Sequence, residues 1–324
     1  MRVVAVSRIK DEADIIEPFV RHTAAFVDHH VLLDNGSADA TIDILTRLRA
    51  AGRNLSLYRN ATSIFVEEPF NTFLYREAAA AHGAQWVLFL DADEFIAWRG
   101  APADFRAWLA AQPNDVAVLE VGLANYVPRS SDPQDEPNVV RRITHRMEPM
   151  PWVGKIFARA TADPDRIAAL RVLPGNHAIA DAAGMLPAER VEDVRLAHFP
   201  HRTGAQLALK SILGRVRVLS TSAAPEWQGF NNHYNEPLHK FLSDPCGYLV
   251  ATAHADHVPA VPDPLAYAGE ALVFTAPVDP LARLLAGVTL AALRSAAVNG
   301  GHLDRVPQLR DRFLRDAATA ERVF

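Results

Sequence analysis

The run WVLFLDADEFI, residues 86–96, carries five apolar side chains straight into three acids, Asp91, Asp93 and Glu94. Five apolar residues without polar alternation describe a strand covered on both faces, as a central strand of a largely parallel sheet is. Ligands of an open α/β sheet gather where loops leave the carboxyl ends of its strands, and Asp91 and Asp93 stand at such an end. Carboxylates two positions apart repel one another unless a cation lies between them. Oxygen donors suit Mg2+ or Mn2+, ions that keep positions open for substrate phosphates. Taken by itself, DADE also admits a plainer reading, a solvated acidic loop. If repulsion between the acids dominates, Asp93→Asn should leave the metal-free fold as stable or slightly more so.

The residues before this run repeat a strand-then-helix pattern. RVVAVS (2–7) precedes DEADIIEPFVRHTAAF (11–26), where Ile15, Ile16, Phe19 and Val20 share a helical face. The apolar strand His30 to Leu33 runs into the turn residues Asp34, Asn35 and Gly36. Ser37 or Asp39 can cap the helix TIDILTRLRAAG (41–52), which Gly52 closes. NLSLYRN (54–60) reads as a third strand and FNTFLYREAAAAHGAQ (70–85) as another helix. The first hundred residues thus alternate βαβαβαβ, a nucleotide-binding layout.

The second half is less regular. VAVLEVGLANYV (116–127), WVGKIFARA (152–160) and VRLAHF (194–199) read as strands, and TGAQLALKSILGRVRVLS (203–220) as a helix. The Pro, Ser and Asp rich segment PRSSDPQDEP (128–137) is long enough to be mobile or to face a substrate. An aromatic loop at 224–237 precedes two expected terminal helices, 279–301 and 306–324. The expected organisation is one catalytic domain over 1–240, with a nucleotide-binding half (1–100) and an acceptor half (101–240), followed by a helical C-terminal extension over 241–324.

Composition narrows the function classes. The 324 residues are 49% apolar and 22% charged with a net charge of −5, which argues against a nucleic-acid partner. The single cysteine, Cys246, cannot form an internal disulfide. The N-terminal apolar run is too short for a signal peptide, and no later run of apolar residues reaches membrane-spanning length. A cytoplasmic protein is expected, with peripheral membrane contact left open.

Two acidic strand ends, LLDNGSADAT and FLDADEF, together with KDEADIIEPFVRH, resemble the family-2 nucleotide-sugar glycosyltransferases of GT-A fold. The nearer likeness is to a bacterial subgroup with K-N-E, DNGS and D-x-DEF motifs. GKIFAR (154–159), Asn176-His177 and AHFPHRTGAQLALK (197–210) are similar to later segments of that subgroup, so the likeness runs to about residue 215. Asp11 stands where Asn is usual, Asn35 replaces the second Asp of the broader family's turn, and Thr203 replaces a common Ser. None of these removes an expected metal ligand.

The resemblance implies a GT-A type α/β fold, with a mostly parallel sheet flanked by helices and a Rossmann-like nucleotide-binding half. It implies that Asp34, beside Asn35, and the strand around Ser7 hold the nucleoside, that Asp91 and Asp93 hold ribose and metal, and that Lys10, Glu12 and Arg76 lie nearby. GT-A enzymes often complete the metal shell with a late histidine, here His198 or His177. Lys155, Lys210, Arg202 and Arg215 are candidates to neutralise a departing diphosphate. Inverting transfer needs a carboxylate base; the VED run offers Asp193 and Glu192, with Glu148 and Glu226 as rivals. The expected donor is a nucleotide sugar, UDP-sugar foremost, and the expected acceptor a saccharide or glycolipid of polysaccharide biosynthesis. A non-catalytic nucleotide-sugar binder remains open. A haloacid-dehalogenase-like phosphohydrolase fits less well, because Glu94 and Phe95 follow Asp93 and the motif lies far from the first strand.

Overall fold

A computed structural model describes residues 1–60, 67–150, 152–221 and 235–275, together with 284–285, 287–289, 292 and 321–322. The first half alternates as its periodicity requires: β1 (Val3–Ile9), α1 (Ile16–Thr23), β2 (His29–Asp34), α2 (Thr41–Ala50), β3 (Leu55–Arg59), α3 (Glu68–Arg76) and β4 (Trp86–Phe89). A π-helical turn over Glu77–Ala81 prolongs α3. The strands lie parallel in the order β3-β2-β1-β4. Alternate residues feed opposite faces. Val3, Ala5, Leu32 and Leu88 pack with Phe19, Val20 and Leu45 of α1 and α2, while Val4, Val6, Val31, Val87 and Phe89 pack against Phe70, Leu74 and Tyr75 of α3. Helices therefore cover both faces, which is why all four residues of β4 are buried.

The chain then adds β5 (Glu94–Ala97), α4 (Pro102–Ala110), β6 (Val118–Val127), α5 (Val139–Arg142), β7 (His145–Met147) and β8 (Gly154–Arg159). After these come α6 (Pro164–Ala169), a three-stranded sheet of β9 (Arg171–Val172), β10 (Ile179–Asp181) and β11 (Gly184–Met185), then β12 (Ala188–His198) and α7 (Gly204–Thr221). β8 runs antiparallel between β4 and β6, and β12 lies parallel to β6 and antiparallel to β5. The architecture is α/β, a mostly parallel central sheet flanked by helices.

The C-terminal part departs from the expected helical extension. After α8 (Asn235–Ser243) and α9 (Pro245–Ala251), residues 252–275 are not helical; β13 (Ala260–Pro262) joins the sheet beside β7. The segment then crosses α1. The buried Glu17 carboxylate accepts the N–H groups of Val273, Phe274 and Thr275 at 2.8, 2.9 and 2.6 Å, and the N–H of Ala268 donates to His22 Nδ1 at 3.1 Å. Within the expected helix at 279–301 the described residues, 284–285, 287–289 and 292, are helical, whereas Glu321–Arg322 forms a short strand, β14, beside β3 rather than helix. The rest of both segments, most of the 224–237 loop and Glu226 lie outside the described residues. PRSSDPQDEP is pinned instead of free: the buried Arg129 donates to the carbonyls of Ala255 and Val258 at 2.7 and 2.6 Å. Among the described residues no helix is long and apolar enough to cross a membrane.

Candidate functional site

A cleft of about 260 Å³ opens at the carboxyl ends of β1 and β4. Backbone hydrogen bonds hold its rim in register, from Leu90 to Val6 and from Asn35 to Ile9. β1 and the loop after it supply Arg8, Lys10, Asp11 and Glu12; the loop after β2 supplies Asn35; the loop after β4 supplies Asp91 and Asp93. β12 ends on His198, and the link into α7 brings Arg202 and Lys210 across the opening.

Asp93 is buried beneath Lys210, Arg202 and the His198 ring. Its Oδ2 accepts from Lys210 Nζ at 2.6 Å, with His198 Nε2 at 3.6 Å and Arg202 Nη1 at 3.8 Å. Burial pushes its carboxyl up, but Lys210, His198 and Arg202 prevail and hold it well below the usual carboxylate range. His198 Nδ1 lies 2.7 Å from Asn125 Oδ1, an acceptor that places the ring hydrogen on Nδ1 and leaves Nε2 facing Asp93. Asp91, about one-third exposed, accepts Lys155 Nζ at 2.6 Å and donates its backbone N–H to Glu94 Oε2 at 3.0 Å. Lys155 also reaches Glu94 at 3.1 Å. Burial lowers the Lys155 pKa, but Asp91 and Glu94 outweigh it and keep the ammonium charged; burial raises Glu94.

Arg202 is buried and joins the β1 loop to the end of β12. It donates to Glu12 at 2.6 Å, to Asp14 at 2.7 Å and to the Phe199 carbonyl at 3.2 Å. Burial, opposed by Arg202, pushes Glu12 up to about 7. The DNGS turn is tied down as tightly. Asp34, wholly buried, accepts the N–H groups of Ser37 at 2.9 Å and Gly36 at 3.2 Å and lies 3.2 Å from Arg59 Nε. Lys10 Nζ donates to the carbonyls of Asn35 and Gly36, both at 3.0 Å. Asp11 sits at φ +55°, a conformation open chiefly to Gly, Asn and Asp, and its carboxylate accepts the Ala38 N–H at 2.6 Å. An Asn-to-Asp exchange at this position is therefore physically mild.

The structure gathers Lys10, Glu12, Asn35, Asp91, Asp93, His198, Arg202 and Lys210 around one opening, with Lys155 bonded to its rim and Asp34 bracing the adjacent turn. It does not bring the other candidates there. The Ser7 hydroxyl turns into the core to meet His30 Nε2 at 2.8 Å. Arg76, at the end of α3, donates to the Ala168 carbonyl of α6 at 2.5 Å. His177 is exposed, with Nδ1 spent on the Gly154 carbonyl at 2.6 Å. Glu192 and Asp193 are exposed at an irregularity of β12, where Asp193 accepts Trp108 Nε1 at 3.3 Å. Five residues of strand separate Asp193 from His198, about 16 Å. Arg215 is not part of the cleft lining, and Glu148 pairs with Arg146 at 2.6 Å. Sequence reasoning missed Arg8 and Glu67, which line the cleft as a 2.5 Å ion pair. Burial raises Glu67, but Arg8 overrides it and holds the carboxyl at about 2. Arg8 stands near the carboxyl end of β1, two residues past the apolar run Val3–Val6, a signal that was present; Glu67, in EEPF, had none.

Among the described residues no three His, Cys, Asp or Glu side chains form a ready metal nest. The ammonium groups of Lys155 and Lys210 sit against Asp91 and Asp93 instead. The donor set nevertheless fits a hard divalent ion, with two carboxylates and an imidazole whose Nε2 is freed by the Asn125 contact.

No protein-family model matches the chain, and no curated protein does. Among solved structures it is similar to the mannosyltransferase PcManGT from Pyrobaculum calidifontis in complex with GDP-Man and Mn2+, at 18% identity and a TM-score of 0.41 over 98% of this chain and 86% of that one. It is also similar to glucosyl-3-phosphoglycerate synthase from Mycobacterium tuberculosis in complex with Mn2+, UDP-glucose and phosphoglyceric acid, at 15% identity and a TM-score of 0.28 over 49% of this chain and 56% of that one. A third likeness is to mannose-1-phosphate geranyltransferase from Thermus thermophilus, at 14% identity and a TM-score of 0.27 over 83% and 72% of the two chains.

Proposed function

We propose that this protein is a metal-dependent glycosyltransferase of GT-A type that moves a sugar from a nucleoside-diphosphate donor to the hydroxyl of a saccharide or glycolipid acceptor, with inversion. The observation that carries the reading is the meeting of Asp91, Asp93 and His198 with Arg8, Lys155, Arg202 and Lys210 at the carboxyl ends of parallel strands. Asp91, Asp93 and His198 would hold Mn2+ or Mg2+. A bound ion supplies positive charge for the leaving diphosphate. Lys210 bridges α7 and Asp93, so it can pass from the carboxylate to a phosphate oxygen as the donor enters. Lys155, already charged, offers a second cation at the Asp91 side of the cleft. Arg202 is spent on Glu12 and Asp14 and serves to hold the β1 loop against α7. Preorganised cations of this kind stabilise charge that develops in the transition state.

The position of Glu192 and Asp193 favours one second reading, a nucleotide-sugar binder without turnover. Release of nucleoside diphosphate separates the two. With Mn2+ and a panel of UDP- and GDP-sugars, the wild type should liberate nucleoside diphosphate, and Asp93→Asn should do so at least about 100-fold more slowly. No release from any donor that binds would remove the catalytic reading.

A further inference from the structure

We propose that the chain carries a second cleft that binds a phosphate group borne by a saccharide or a lipid, on the face of β6 and β8 away from Lys155. This cleft, of about 560 Å³, shares no lining residue with the one at the carboxyl strand ends. Its placement follows from register. Lys155 pairs with Val121 and Gly154 with Gly122, and successive strand residues point to opposite faces, so Gly122 and its neighbours open on the other side.

The cleft is built around Trp152. The indole Nε1 donates to Glu120 Oε1 at 2.9 Å, which fixes the ring. Gly122 lies beneath it: a Cβ there would stand 2.7 Å from the ring, so only glycine seats the indole. The Arg190 guanidinium lies 3.4 Å from the Trp152 ring centroid. Held against the aromatic face, a guanidinium keeps its N–H edges available for the paired hydrogen bonds a phosphate accepts.

Charge points the same way. Of the four arginines in the lining, Arg146 is paired with Glu148 at 2.6 Å and Asp263 at 2.9 Å. Arg99, Arg190 and Arg195 have no acidic partner among the described residues, and Glu192 is the second acid of the lining. Three such guanidiniums around one opening, in a chain of net charge −5, form a local concentration of positive charge suited to a group with several acceptor oxygens.

The test uses the full chain and the indole N–H resonance of Trp152, assigned with Trp152→Phe. Glucose 6-phosphate is titrated against glucose, and sedimentation with phosphatidylglycerol vesicles is compared with phosphatidylcholine vesicles. A saturable Trp152 shift with the sugar phosphate alone upholds the site with a soluble ligand; selective sedimentation with the anionic vesicles upholds it with a lipid. In either case Arg190→Ala/Arg195→Ala should weaken binding at least about tenfold, while Asp93→Asn leaves it unchanged. Both arginines are exposed, so the double variant should fold, and Arg195→Glu alone gives a second reading of the same loss. Absence of both responses, or a response undiminished in the arginine variants, overturns the proposal.

Discussion

At Asp93 burial and charge oppose one another, and the neighbours decide the outcome. The sequence alone made Asp93→Asn harmless to the metal-free fold, on the argument that two close carboxylates repel. Lys210 and Arg202 reverse that expectation, because the carboxylate is the anion that neutralises them. Removing one partner of a buried ion pair costs ~3–5 kcal/mol, and the partial exposure of Lys210 reduces this to roughly 1–3 kcal/mol. Denaturant unfolding of Asp93→Asn without metal should show that loss; an unchanged midpoint would mean the cations are screened by water. Asn125 is the companion case. Its contact with His198 Nδ1 sets which ring nitrogen faces Asp93. Partners that orient a ligating histidine affect metal affinity by 10–100-fold, so Asn125→Ala should weaken Mn2+ binding by about that much while leaving the melting temperature within a few degrees. Equal Mn2+ affinity in the variant would place His198 outside the metal shell.

At the scale of elements, α1 joins the sheet to the returning C-terminal segment through His22, and this ring and His30 of β2 must stay neutral. His22 Nε2 meets the Ile96 carbonyl at 2.9 Å and its Nδ1 accepts the Ala268 N–H, an arrangement that only the neutral ring can satisfy. Burial lowers His22 to about 4, and burial aided by His29 lowers His30 to about 3. Below pH ~6.5 the unfolded chain takes up these protons and the folded one does not. Stability from both groups is thus complete above that pH and falls as the pH drops toward 4 and 3, by up to about 1.4 kcal/mol per pH unit for each histidine. Urea midpoints between pH 8 and pH 5 should fall steeply for the wild type and less so for His22→Gln; parallel profiles would show that His22 does not carry the dependence. Legibility also differed by element. β1 to β4 could be read because each strand is a short segment rich in apolar residues, unbroken in β4, and each helix has an apolar face. β5 could not, since Glu94 looks like loop until its carboxylate is seen folded back onto the Asp91 N–H and Lys155. The 252–275 segment was equally hidden, because what orders it is Glu17 and His22, some 250 residues away along the chain.

For the molecule as a whole, the site is legible where strand ends meet and illegible where distant segments converge. Asp91, Asp93 and the DNGS turn follow from strand-then-acid patterns in the first hundred residues. The cations do not: Lys210 arrives on α7, Arg202 on the link before it and Lys155 from β8, and only the sheet order β8-β4-β1 brings them to one opening. The same topology carries Asp193 away, since β12 reaches the cleft only at His198. The central claim is that this opening binds a nucleotide sugar through a divalent ion, and calorimetry measures it most directly. UDP- and GDP-sugars are titrated into wild type and Asp91→Asn/Asp93→Asn protein, with Mn2+ and with chelator. At least one donor should bind the wild type ten-fold or more tightly with Mn2+ than with chelator, and the double variant should lose that difference. A donor that binds the wild type equally well in both conditions would contradict the account.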